Sequence, residues 1–134
     1  MKTSHVSFCL LLVATFLLTA SGCGGSGGPT EKVTGKVTFK DGSTVSGGMI
    51  VFSDLVENSS SVGYIKEDGT YTLGTFDEAD GAPIGKYKVT IVGNSEYGEK
   101  SAIATRFGEQ GQTPLKAEVK AEENTINFEV ERSR

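Results

Sequence analysis

From Glu31 to the C-terminus, hydrophobic and polar residues alternate with a period of two. Val33, Gly35, Val37 and Phe39 fall on one face of an extended segment, and Thr34, Lys36, Thr38 and Lys40 on the other. Asp41-Gly42 then marks a turn. Met49-Ile50-Val51-Phe52 is a short continuous apolar run, the pattern expected of a strand buried on both faces. Ser61 to Lys66 and Thr70 to Leu73 flank Glu67-Asp68-Gly69, a second hairpin turn in which Gly69 supplies the positive φ. Tyr87, Val89 and Ile91 alternate with Lys86, Lys88 and Thr90. The same alternation returns in Leu115, Ala117 and Val119, and again in Ile126, Phe128 and Val130. These are about seven short strands with no sustained 3.6-residue period between them, which predicts an all-β, two-sheet antiparallel sandwich.

Two segments leave alternatives open. Gly85-Lys86-Tyr87-Lys88-Val89 has the spacing of a tyrosine corner, whose hydroxyl would bond the upstream backbone in Gly81 to Ile84; a plain half-buried strand tyrosine fits equally. The stretch from Gly93 to Pro114 has weak strand character, and loops of that length in compact domains tend to be functional or disordered. Within it, Tyr97 and Phe107 are candidate ligand-binding aromatics, while Ile103, Phe107 and Leu115 could instead cap the core.

The first thirty residues follow a different rule. Lys2 precedes an almost unbroken apolar run from Val6 to Leu18, and Thr19-Ala20-Ser21-Gly22 is a small-residue stretch suited to cleavage. That is the tripartite pattern of a secretory signal, with an apolar core well short of the ~20 residues a permanent spanning helix needs. Ala20-Ser21-Gly22-Cys23 resembles a bacterial lipobox, although Ala20 stands where the pattern usually has Leu. Residues 1–22 are therefore read as a lipoprotein signal peptide and Cys23 as the lipidation site. Several acyl chains on one residue would hold a domain at a bilayer, which one chain does only marginally. Residues 23–30 are the lipidated Cys and a Gly/Ser tether, and 31–134 the β-sandwich domain. Gly24 in place of Asp after the Cys favours, by resemblance to the Gram-negative sorting rule, the outer membrane facing the periplasm or cell surface. Gly22, Gly24 and Gly27 match a dinucleotide fingerprint only by accident, with no strand before and no helix after.

Composition then narrows the chemistry. The chain has one His, two Cys and no Trp among 134 residues. His5 and Cys9 lie in the signal segment, so the processed chain would have no His, and its one Cys would carry lipid. Ser-His-Asp and Cys-His catalysis, haem ligation through His and nearly all zinc chemistry are then out of reach. The balance of 13 basic against 17 acidic residues, net −4, argues against nucleic acid as a partner. No cofactor is expected.

Val33-Thr34-Gly35-Lys36-Val37, Asp41-Gly42, Val45-Ser46-Gly47-Gly48 before Met49 to Phe52, Asp68-Gly69-Thr70-Tyr71 and Gly85-Lys86-Tyr87 together carry a family resemblance. The chain resembles the carboxypeptidase-regulatory-like, or transthyretin-like, domain. More narrowly, it is similar to small lipoproteins of planctomycete-type bacteria that carry one such domain behind a lipobox. The resemblance implies a prealbumin-like, seven-stranded antiparallel Greek-key sandwich that is not itself an enzyme.

The remaining candidates are weaker. Asp77, Glu78 and Asp80 form the densest acidic cluster; oxygen ligands on a loop suit Ca²⁺, yet their spacing is not that of an EF-hand, and a solvated acidic loop fits as well. Seventeen acids make some carboxylate pair inevitable, and nothing selects one for glycoside hydrolysis. Tyr64, Tyr71, Tyr97 and Phe107 could offer stacking surfaces. The sequence thus predicts a lipid-anchored, non-catalytic envelope module with a structural or protein-interaction role. The alternative is a carbohydrate- or peptide-binding lipoprotein using the aromatics of the 93–114 loop. Its partners would be the membrane, through the lipid, and an envelope protein or polysaccharide.

Overall fold

A computed structural model describes residues 28–95 and 100–134. The expected signal peptide of residues 1–22, Cys23 and Tyr97 lie outside the described residues.

The described chain is all-β. Its strands are β1 (Thr30–Glu31), β2 (Val33–Phe39), β3 (Gly48–Asp54), β4 (Ser59–Ile65), β5 (Thr70–Gly74), β6 (Ala82–Pro83), β7 (Gly85–Gly93), β8 (Lys116–Val119), β9 (Asn124–Thr125) and β10 (Phe128–Val130). One 3-10 turn, Thr105–Gly108, interrupts them. The seven longer strands are those the pattern of hydrophobic and polar residues predicts, β3 from its apolar run. The three two-residue strands carry no period, so nothing in the pattern marks them.

The main sheet runs in the order β10-β2-β5-β4-β3-β7-β8, with β9 also on β2, and β1 pairs with β6 separately. It folds over itself at β5. Thr70–Thr72 pair with β2, whereas Leu73 and Gly74 pair with β4, so one strand passes from layer to layer. The hairpin turns take their predicted form. Gly42 and Gly69 both have positive φ, and the Asp68 carboxylate accepts from the Thr70 amide at 3.0 Å and the Thr70 hydroxyl at 2.6 Å. At the edge of the sheet, β8 is short and turns Lys116 and Glu118 outward, a combination that discourages pairing with other chains.

Two expectations are corrected. First, the sandwich is not wholly antiparallel: β9 and β10 run parallel to β2, with Phe128 opposite Val37 and Val130 opposite Phe39. Residues 120–123 carry the chain from β8 to the far layer instead of back along β8. The hairpin constraint that would force antiparallel pairing therefore does not act. Second, the run Met49 to Phe52 is buried on one face only. Ile50 and Phe52 are fully buried, Val51 is half-buried and Met49 is 37 % exposed. Among the described residues no second layer covers the outer face of β3.

Inside, Phe52 is the hub. Its ring centroid lies 5.7 Å from Tyr87, 5.8 Å from Phe128 in an edge-on arrangement and 6.4 Å from Tyr71. Both tyrosines spend their polar end on backbone: the Tyr71 hydroxyl donates to the Ile126 carbonyl and the Tyr87 hydroxyl to the Pro83 carbonyl, each at 2.6 Å. Tyr87 is thus the tyrosine corner. Burial pushes both phenols above their ordinary pKa, and for Tyr87 the nearby Asp54 carboxylate adds to the effect. At Gly35 the closing segment lies directly against β2. A Cβ there would stand 1.8 Å from the Ile126 carbonyl oxygen and 2.8 Å from the Tyr71 ring, so only glycine lets the closing segment lie against β2.

Candidate functional site

The outer face of the central strands is where side chains meet solvent without a covering layer. The register places Tyr64 of β4 opposite Met49 of β3, and Met49 opposite Val92 of β7. All three are exposed, Tyr64 at 75 %. In the next row, Val62, Val51 and Thr90 are half-buried. The strands alternate strictly, so this face is set by the same period that fills the core.

Beside that row, over β4 and β5, lies an open groove of about 640 Å³. Val62 and Thr72 form part of its floor, and Tyr64 and Phe76 are its two aromatic side chains; Ser60, Lys66, Asp77 and Glu78 also line it. Phe76 is 55 % exposed.

The 75–80 loop that carries Phe76 is held by its own residues. The Asp80 carboxylate accepts from the amides of Thr75 at 2.6 Å and of Phe76 and Asp77 at 3.1 Å each. The Thr75 hydroxyl donates to the Gly81 carbonyl at 2.7 Å and lies 2.6 Å from the Ser61 hydroxyl, which donates to it in turn. Gly74 lets the loop fold back onto β5, since a Cβ there would meet the Asp77 carbonyl oxygen at 2.5 Å. Desolvation raises the Asp80 carboxyl, but the amides outweigh it and hold it below its ordinary pKa.

The sequence-derived candidates are dispersed by this geometry. Tyr64 is exposed in the groove. Tyr71 and Phe107 are 1 % and 3 % exposed and belong to the core. The Phe107 ring, offered by the sequence as a binding aromatic, presents no face to a ligand: Ile103, also buried, packs in the same core, and the Arg106 guanidinium lies 4.9 Å from the ring centroid. Of the acidic trio, Asp80 is committed to loop amides, while Asp77 and Glu78 stand at the groove. Among the described residues, no group of three or more His, Cys, Asp or Glu side chains converges as a metal cage. Phe76 was not singled out by sequence reasoning. Its signal was present nonetheless: a lone aromatic inside a polar loop, with no periodic partner to place it in a core.

At the end of the sandwich that carries the 40–43 turn, charges are tied to one another. Glu131 pairs with both Lys40 and Arg106, and Arg132 reaches Asp41 at 3.3 Å while stacking 4.0 Å from the Phe39 ring centroid. These groups close the C-terminal segment onto β2.

Comparison with known proteins found no matching family model, no matching curated protein and no matching solved structure.

Proposed function

We propose that this protein is a lipid-anchored, non-catalytic module of the bacterial cell envelope that works by binding. The observation that carries the binding role is the solvent-facing row Tyr64–Met49–Val92, bordered by Phe76: large apolar side chains gathered on one uncovered sheet face, as interaction surfaces gather them. Anchoring is supported by the apolar leader, the lipobox-like Ala20-Ser21-Gly22-Cys23 and the Gly/Ser tether. The tether enters the domain at β1, against Ala82 and Pro83, at the end opposite the 40–43 turn. The row Tyr64–Met49–Val92 lies on a side of the sandwich, while the 75–80 loop that carries Phe76 stands at the tether end, where Gly81 packs against Glu31. We also assign the sandwich to the carboxypeptidase-regulatory-like type, supported by the seven longer strands and the Tyr87 corner.

Metabolic labelling with a fatty-acid analogue tests the anchor. Cys23→Ser is expected to abolish the label and release the chain from the membrane fraction; a label that persists on Cys23→Ser refutes lipidation at that residue.

A further inference from the structure

We propose that the groove between Tyr64 and Phe76 is a binding site for a neutral oligosaccharide. The inference rests on the reading of the domain as a binding module and names its ligand class.

The groove combines two kinds of surface. Tyr64 and Phe76 offer exposed ring faces, and the C–H side of a pyranose packs on such faces because the ring face is electron-rich. Between and around the rings stand short polar groups: the hydroxyls of Ser60 and Thr72, the carboxylates of Asp77 and Glu78 and the Lys66 amine. Carboxylates accept strongly from sugar hydroxyls, and serine and threonine both donate and accept. A ligand with alternating C–H faces and hydroxyl edges satisfies both sets at once.

Peptide recognition fits this place poorly. The strands beneath the groove have no free edge, since β4 lies between β5 and β3, and β5 between β2 and β4. A peptide strand therefore finds no main-chain partners there, and main-chain hydrogen bonds are what give strand addition its affinity. An amphipathic helix needs a continuous apolar trough, whereas the polar side chains of Ser60, Lys66, Thr72, Asp77 and Glu78 interrupt this lining.

The charge balance selects among sugars. Two carboxylates against one amine leave the lining net negative, which disfavours sulfated and uronate-rich chains. The site is also built in advance. Asp80 fixes the amides of Thr75, Phe76 and Asp77, so Phe76 is held before any ligand arrives and less ordering is needed on binding.

The test uses the full chain in mild detergent on an array of neutral, uronate-bearing and sulfated oligosaccharides. Neutral glycans are expected to bind. The dissociation constant of the best of them should rise about tenfold or more in Tyr64→Ala and in Phe76→Ala, and change less than about threefold in Tyr64→Phe. Both positions are exposed, so thermal midpoints should stay close to wild type. If Phe76→Ala lowers its midpoint, Thr72→Val takes its place as the variant expected to lose affinity. No glycan binding, a preference for sulfated chains, or affinity indifferent to all these changes overturns the proposal. If no glycan binds but Tyr64→Ala and Phe76→Ala each lose a co-purifying protein, the sugar site falls and the binding module stands. If the variants lose neither, both fall.

Discussion

Two phenol hydroxyls do structural work that a phenyl ring could not. Tyr71 and Tyr87 each lie against Phe52 and each satisfy a backbone carbonyl at the sandwich edge. Removing one hydroxyl leaves its carbonyl acceptor poorly paired, so Tyr87→Phe and Tyr71→Phe should each destabilise by about 1–2 kcal/mol in urea unfolding. Variants within error of wild type would show that water replaces the lost donor. Ala79 presents the opposite case. Its φ of 62° places an L-residue in the left-handed region, a conformation that carries a penalty of roughly 1 kcal/mol. Ala79→Gly should therefore raise the thermal midpoint, and a lower midpoint would show that unfolded-state entropy outweighs the relief.

At the scale of elements, turns and loops are held by carboxylates. Asp41 is lowered first by the Ser43 hydroxyl, Asp68 by the Thr70 hydroxyl and Glu131 by Lys40, while Asp80 is lowered against its own desolvation by loop amides. Each titrates below its unfolded value, so as pH falls the unfolded chain takes up protons first. The stability these groups contribute is complete above about pH 4–5 and is lost as pH drops through the lower folded values. The urea midpoint should hold from pH 7 to 5 and decline toward pH 3. Asp80→Asn should lower it at pH 7 and shrink that decline; a decline of unchanged size would remove Asp80 from the account. The seven longer strands were legible because six carry alternating residues and β3 a short apolar run, with Asp-Gly turns marking the end of β2 and the start of β5. The parallel direction of β9 and β10 was not legible, because a crossover sets direction and leaves no mark on period. Met49 to Phe52 misled for a related reason: a continuous apolar run says that both faces are apolar, not that both are covered. The groove was half legible. Tyr64 stands among the aromatics the sequence offers, while Phe76 depends on a loop whose shape comes from local contacts at Asp80 and Gly74 that no hydropathy period encodes.

For the molecule as a whole, closure depends on Gly35. Its missing Cβ admits the Ile126 carbonyl, which in turn receives the Tyr71 hydroxyl. Gly35→Ala should force the closing segment off β2 and destabilise by on the order of 3 kcal/mol, with loss of near-ultraviolet circular dichroism from the aromatic core as the readout. A variant of wild-type stability would show that the backbone yields at that contact. The parallel pairing also has a temporal consequence. Lys36 and Asn127, 91 positions apart, are hydrogen-bonded, and β2 has β5 on one side and β9 and β10 on the other. A chain that emerges N-terminus first must hold β2 unsealed on one side until residues 124–130 arrive, 91 positions later. Folding is then dominated by distant contacts and slow for a domain of this size, on the order of milliseconds to seconds. Chains lacking residues 124–134 should stay open and protease-sensitive however long they are incubated; a protease-resistant truncated chain would show that the remaining strands can close without them.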